Sequence, residues 1–310
     1  MKHKHILEAG QFTTEDIDTM FATADYVSHK DHKELTDILK GKVLACVFYE
    51  PSTRTSSSFI ASMTRLGGSV IPITQGVQYS SVSKGETLED TIVTLGQYAD
   101  AIVLRHPEMG SVSKAAGVSP VPVINAGDGA GEHPTQALLD LFTIRNEMGK
   151  TDGLQVCFVG DLANGRTVHS LLKLLSLYPN NRFHLVSPAR LGIERHPLYE
   201  KVSRNIGEIF HVRNNLWEAK NILEASDVIY MTRVQKERFT VVDEYTEVKD
   251  SCLLTPELVS TMKPGARILH PLPRVNELPV EIDSDPRAAY FRQVRSGLLV
   301  RMSLLIHTLK

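Results

Sequence analysis

Cysteine is scarce in this chain, with three residues in 310, and they stand far apart at Cys46, Cys157 and Cys252. The first two fall inside apolar, strand-like runs. They read as buried free thiols of a reducing compartment, which excludes a disulfide scaffold and a cysteine-rich metal cluster. Neither sign of charge dominates. The formal net charge is −2, so the basic excess of a nucleic-acid-binding protein is missing. No apolar run is long enough to span a bilayer. The start, Met1-Lys2-His3-Lys4-His5, lacks the apolar core of a signal peptide, and the expectation is a cytoplasmic protein without membrane contact. His3 and His5 read as part of a solvated basic end. Repeats and low-complexity tracts are missing too. What is present is ordinary for a globular protein, 42% apolar and 23% charged. The length is large for one core and favours two domains.

Helical spacing of Ile17, Met20, Phe21, Ala24 and Val27 predicts a first helix from Thr14 to Lys30. Thr13 or Thr14 can cap it, with Glu15 and Asp16 in the first turn. An alternation follows. Strands are expected at 43–49, 69–73, 100–104 and 121–125, with helical stretches at 53–66, 86–98 and 110–117. Such alternation implies βαβ units and a parallel sheet, with ligands beyond the carboxyl ends of the strands. A helix from Pro134 to Met148 stops at Gly149, and the domain boundary is placed at Gly149–Gly153. The pattern then repeats. Strands are expected at 155–159, 182–186, 208–212, 227–231 and 267–270, and helices at 167–177, 215–225 and 256–262. Ala288 to Leu309 reads as one long helix packing back on the first domain. The fold class is therefore α/β, two doubly wound domains with parallel sheets joined by interdomain helices.

The residues after the strands form a consistent set. Pro51-Ser52-Thr53-Arg54-Thr55 follows the first strand where a helix begins. Unpaired helical N–H groups, the helix dipole, short hydroxyls and a charged fork make that junction suited to phosphate. A polar loop from Gln78 to Thr87 containing Lys84, then Arg105-His106-Pro107, then Asn125 to Gln136 with His133, follow the next three strands. Each basic residue alone reads as a solvated surface group. Four successive strand ends that deliver anion-binding groups do not. In the second half the strand ends carry Gly160-Asp161 with Gly165-Arg166-Thr167-Val168-His169, then Thr232-Arg233-Val234-Gln235-Lys236, then His270-Pro271-Leu272-Pro273-Arg274. Gly160 to Gly165 lacks the G-x-G-x-x-G spacing and an acidic partner, so a dinucleotide fingerprint is rejected.

On these motifs the chain resembles the aspartate transcarbamoylases nearly end to end. The matching segments are Phe48 to Thr55, Ser81 to Thr87, His133 to Asp140, Gly160-Asp161 with Gly165 to Ser170, Thr232 to Arg238, and His270 to Arg274. Ser56-Ser57-Ser58 and Asp283 to Tyr290 resemble the version built into multifunctional animal pyrimidine-synthesis proteins. The length fits a free-standing enzyme or an excised domain.

The resemblance implies transfer of a carbamoyl group from carbamoyl phosphate to the amine of L-aspartate, with no metal or organic cofactor. It implies that Ser52, Thr53, Arg54 and Thr55 bind the phosphate, and that Thr55, Arg105 and His133 hold the carbonyl oxygen. Gln136 and the backbone carbonyl of Leu272 or Pro273 orient the NH₂ group. Lys84, Arg166, Arg233 and Gln235 take the aspartate. Residues 1–149, completed by the helix at 288–310, are then the carbamoyl-phosphate domain, and 150–287 the aspartate domain. Lys84 and Ser81, with Ser80 as the alternate serine, are implied to enter a neighbouring chain's site. A homotrimer with shared sites follows from that, and two domains joined at Gly149–Gly153 with anion sites on both suggest closure around the substrates. Association with other pyrimidine-pathway enzymes or regulatory chains is compatible with it.

Charge separates aspartate from the alternative of an ornithine-type enzyme. Two carboxylates need fixed cations, whereas burying a second ammonium among Arg166, Arg233 and Lys84 would be unfavourable. Pro271 stands where the ornithine enzymes carry a cysteine. A catalytically silent assembly subunit is the other alternative, but every expected ligand is present.

Overall fold

A computed structural model describes residues 4–74, 84–236, 239 and 241–310. The chain divides into two compact units. One comprises the residues up to Leu139 together with Arg295–Lys310, and the other Asp140–Val294.

In the first unit β1 (Val43–Phe48), β2 (Ser69–Ile73), β3 (Ala101–His106) and β4 (Val123–Asp128) form a parallel sheet in the order β2-β1-β3-β4. The helices are α1 (Thr14–Ser28), α2 (His32–Leu35), α3 (Thr53–Arg65), α4 (Leu88–Leu95), α5 (Ser111–Val118) and α6 (Pro134–Met148), the last of which runs on into the second unit. Alternate strand residues face opposite sides. Ala45, Val47, Ile102 and Leu104 pack with Ile92 and Leu95 of α4 and Val112 and Ala115 of α5. Their neighbours Leu44, Cys46, Phe48, Ala101 and Val103 are buried as well. Both faces are covered, which is why β1 reads as a continuous apolar run rather than an alternating one.

Thr13, not Thr14, caps α1. Its hydroxyl accepts from the Asp16 N–H while Asp16 reaches back to the Thr13 backbone. The helix ends at Ser28, two residues before the expected Lys30.

Two strand ends differ from the sequence expectation in a way that matters. β3 runs on through Arg105 and His106, because Arg105 pairs with Phe48 and His106 with Asp128. β4 starts later, at Val123, and also runs to Asp128. Pro122 has no N–H to give a ladder and supplies only its carbonyl, to Ile102.

The second unit has β5 (Gln155–Val159), β6 (Arg182–Ser187), β7 (Ile206–His211), β8 (Val228–Met231) and β9 (Arg267–Leu269), all parallel, in the order β7-β6-β5-β8-β9. Its helices are α7 (Arg166–Leu175), α8 (Leu198–Val202), α9 (Lys220–Ala225), α10 (Val242–Val248) and α11 (Pro256–Thr261). The expected helix at 215–225 is a 3₁₀ turn, Leu216–Ala219, followed by α9. α8 and α10 lie outside the helical stretches named from the pattern. The final helix α12 (Tyr290–Leu309) begins in this unit, and its later part belongs to the first. There Ser62 Oγ donates to the Leu298 carbonyl at 3.1 Å and Ser303 Oγ to the Met20 carbonyl at 2.7 Å.

Each sheet reverses its winding at one strand, β1 in the first and β5 in the second. The crevice beyond such a strand is where open α/β sheets take ligands. All three cysteines are buried and unbridged, and burial pushes the Cys46 and Cys252 thiols up to about 12. Among the described residues no helix is long and apolar enough to cross a membrane.

Candidate active site

The first crevice opens at the β1–β3 switch point. β1 delivers Ser52 as the residue before α3, and Ser52 makes no side-chain cap bond. The first-turn N–H groups of α3 are therefore not satisfied by that hydroxyl, and they have no partners within the helix. Ser52 Oγ instead accepts from Arg105 Nη1 at 3.3 Å, while Arg105 Nε donates to Glu50 Oε2 at 3.2 Å. Thr53 and Arg54 are exposed and Thr55 is buried. The geometry is a helix N-terminus without a Ser52 side-chain cap and with a guanidinium beside it, an arrangement suited to an anion.

His133 and Gln136 enter from the β4 side, and both are buried. Asp128, the last residue of β4, builds the loop that carries them. Its Oδ1 accepts from the Glu132 N–H at 2.7 Å and its Oδ2 from the Gly110 N–H at 3.0 Å. Gly129 has φ +56°, and a Cβ there would lie 2.4 Å from the Pro107 carbonyl oxygen. Only glycine fits that approach. The Gly129 N–H donates to the His106 carbonyl at 2.9 Å, tying the loop to the end of β3. Ser52, Thr53, Arg54, Thr55, Arg105 and the loop to His133 thus leave one sheet edge.

Lys84 is exposed, shortly before Thr87, which caps α4 by accepting from the Asp90 N–H at 3.1 Å. Ser80 and Ser81 lie outside the described residues.

The second crevice opens at the β5–β8 switch point. Gly160 closes β5 with φ +117°, and a Cβ there would lie 2.2 Å from the Thr232 carbonyl oxygen. The ends of β5 and β8 approach closely for that reason. Buried Asp161 shapes the next turn, accepting from the Asn164 N–H at 3.0 Å. Arg166 is the first residue of α7 and Arg233 follows Thr232 at the end of β8. Gln235 Nε2 donates to the Asn164 carbonyl at 3.2 Å, which fixes the segment carrying Arg233 to the turn before Arg166. The segment carrying Arg233 and Gln235 is thereby joined to the turn that leads into Arg166.

Leu272 and Pro273 follow β9, the neighbour of β8. Leu272 has φ +55°, and its N–H donates to His270 Nδ1 at 2.8 Å. A ring nitrogen that accepts carries no proton, so His270 is neutral with its proton on Nε2, which donates to Glu277 Oε1 at 2.8 Å. Burial opposes ionisation of Glu277, but the interactions led by the His270 hydrogen bond hold its carboxyl below the usual range. Arg274 is turned to structural use, with Nη2 donating to Asp283 Oδ2 at 2.7 Å.

Sequence reasoning missed the carboxylates that arrange these basic groups: Glu50 on Arg105, Asp128 and Asp161 in the loops, and Glu277 on His270. All but Glu277 lie inside segments singled out above. Among the described residues no group of three or more His, Cys, Asp or Glu is placed to hold a metal ion.

Known proteins fit this geometry. The family described as aspartate/ornithine carbamoyltransferase, carbamoyl-P binding domain, matches residues 4–146, and its Asp/Orn binding domain matches residues 152–308. The aspartate carbamoyltransferase catalytic subunit of Leptospira biflexa is 48% identical over 98% of this chain and 96% of its own. The multifunctional protein CAD of Squalus acanthias is 50% identical over 97% of this chain, which spans only 13% of that protein's length. The aspartate transcarbamoylase of Trypanosoma cruzi, solved in complex with carbamoyl phosphate and aspartate, superposes with a TM-score of 0.90 at 42% identity, covering 99% of this chain and 97% of that one. The chain belongs to the aspartate carbamoyltransferase family.

Proposed function

We propose that this chain transfers the carbamoyl group of carbamoyl phosphate to the amine of L-aspartate, giving N-carbamoyl-L-aspartate, a pyrimidine precursor, and phosphate. The observation that carries the reading is the pair of switch points. One offers a helix N-terminus beside Arg105 that Ser52 does not cap, and the other offers Arg166 and Arg233 beyond the ends of adjacent strands.

In this reading the α3 amides with Ser52, Thr53, Arg54 and Thr55 hold the phosphate. Thr55, Arg105 and His133 face the carbonyl oxygen, where negative charge develops as the amine attacks. Preorganised donors at that atom are usually the largest catalytic contribution. Gln136 and the Leu272 or Pro273 carbonyl orient the NH₂ group, so that the carbonyl carbon presents one face. Arg166, Arg233 and Gln235, with Lys84, take the two carboxylates of aspartate. The amine forms the new C–N bond, and the tetrahedral intermediate collapses by breaking the C–O bond to phosphate. The leaving phosphate is a ready acceptor for the amine proton.

Lys84 and Ser81 are assigned to a neighbouring chain's site in a homotrimer. Equilibrium sedimentation tests this directly, with a threefold mass expected. Mixing Lys84→Ala with Arg54→Ala protein should then recover part of the activity, because one site in a mixed trimer has both intact halves.

The function is tested by offering carbamoyl phosphate with aspartate and, separately, with ornithine. Carbamoyl aspartate and phosphate are expected in equal amounts, with no citrulline. Citrulline formation, or no product from aspartate, would overturn the reading.

A further inference from the structure

Behind the Leu272–Pro273 turn the second unit holds an unbroken chain of buried hydrogen bonds. Tyr230 Oη donates to Asp140 Oδ2 at 2.6 Å, and Gln293 Nε2 donates to Asp140 Oδ1 at 2.6 Å. Gln293 Oε1 accepts the His270 N–H at 2.9 Å. His270 Nδ1 in turn accepts the Leu272 N–H. Tyr230, Asp140, Gln293 and His270 are each no more than 2% exposed, so water does not stand in for any partner. Burial and then the Asp140 carboxylate push the Tyr230 pKa well up, which keeps its hydroxyl a donor, and Thr167, next to Arg166, bonds the same hydroxyl.

Every link in this chain has one permitted direction. A carboxylate only accepts, so Gln293 must give Asp140 its NH₂ group and keep its oxygen for His270. A reversed amide would set donor against donor in a buried place, where unmatched polar groups are costly. The end of the chain is Leu272, whose φ of +55° is uncommon for a side chain of that kind and persists only where the surroundings fix it.

We propose that Asp140 and Gln293 are positioning residues for carbamoyl transfer: through His270 they hold the Leu272 backbone in the conformation that presents the turn's carbonyl to the substrate NH₂ group. The inference rests on the assignment of that carbonyl made under the proposed function.

The test exchanges the polarity of one link. Asp140→Asn alone can accept from only one of its two donors: with its oxygen on Tyr230 it sets its NH₂ against the Gln293 NH₂, and with the amide turned it forces the Tyr230 hydroxyl from donor to acceptor. Gln293→Glu alone faces Asp140 with a second carboxylate. In the double variant the amide placed at 140 donates to the carboxylate placed at 293. That carboxylate still accepts from His270, and the oxygen at 140 still accepts from Tyr230. Each single variant is expected to lose about tenfold or more in kcat/KM for carbamoyl phosphate, and the double variant to regain most of it. Competitive inhibition by inorganic phosphate, which has no NH₂ group, should stay within about twofold throughout. Wild-type-like single variants, a double variant no better than the worse single, or parallel loss of phosphate and carbamoyl phosphate binding would each overturn the proposal. Hydrogen exchange of the amides at 270–277 gives a readout independent of turnover. It should quicken in the singles and slow again in the double, and unchanged exchange would contradict the clamp. Should the wild type make no carbamoyl aspartate, the functional reading fails, and exchange still decides whether this pair holds the turn.

Discussion

In the proposed reading the two switch points use the same topological device to bind anions by different means. At the end of β1 the binding groups are short: backbone amides of α3 and the hydroxyls of Ser52, Thr53 and Thr55, with Arg105 steadied by Glu50. At the ends of β5 and β8 the groups are long cationic side chains, Arg166 and Arg233, steadied through Asp161, Asn164 and Gln235. A compact tetrahedral anion suits a concave set of short donors. Two carboxylates several bonds apart suit separated guanidinium forks. The difference in reach is what supports the proposal of a phosphate in one unit and an amino diacid in the other.

The largest effect expected is on the first crevice. Arg105→Ala removes a donor both from the proposed carbonyl site and from Ser52, and kcat should fall about 10²–10³-fold. Arg54→Ala should also abolish most turnover while leaving the fold intact. If either variant instead raised the KM for aspartate alone, the division of labour between the two units would be broken. Arg233→Ala is next. It should raise the KM for aspartate roughly a hundredfold, as a charged hydrogen-bonding pair is lost, with little change for carbamoyl phosphate.

A third prediction sharpens the comparison through acid sensitivity of the second unit. His169 on α7 is buried against His196, with ring centroids 3.9 Å apart, and its Nε2–H donates to the Leu162 carbonyl at 2.7 Å. Burial first, then the His196 ring, lowers its pKa to about 4. The folded pKa lies below the unfolded one, so the unfolded chain binds the proton first. Stability is intact above about pH 6.5 and is lost as pH falls towards 4, by about 2 kcal/mol at pH 5. Denaturant titrations at pH 7.5 and 5 on wild type and His169→Gln check this, and the variant should show a smaller difference. The smallest effect belongs to the first unit's loop. Gly129→Ala meets the Pro107 carbonyl in a left-handed conformation and should cost about 1–2 kcal/mol, with the KM for aspartate unchanged.

Much of the fold was legible because it depends on patterns local to the chain. Apolar runs such as Val43–Phe48 and Gln155–Val159 are buried on both faces, and their helices show clear periodicity. Boundaries failed where ladder pairing overrode composition. Arg105, His106 and Asp128 are polar, yet sheet partners hold them in strands. Short elements such as α2 and α8 have too few residues to show a period. The basic candidate residues were legible as a set because they stand at or beyond the carboxyl ends of strands. The carboxylate partner of Arg105 was not, since Glu50 meets it across 55 residues of chain, a pairing that only the tertiary fold decides.

Inorganic phosphate binding, followed by titration calorimetry on wild type, Arg54→Ala and Arg233→Ala, tests the central assignment most directly. Phosphate should bind wild type and Arg233→Ala with similar affinity and be lost from Arg54→Ala. Loss in Arg233→Ala with retention in Arg54→Ala would place the phosphate in the wrong unit and contradict the account.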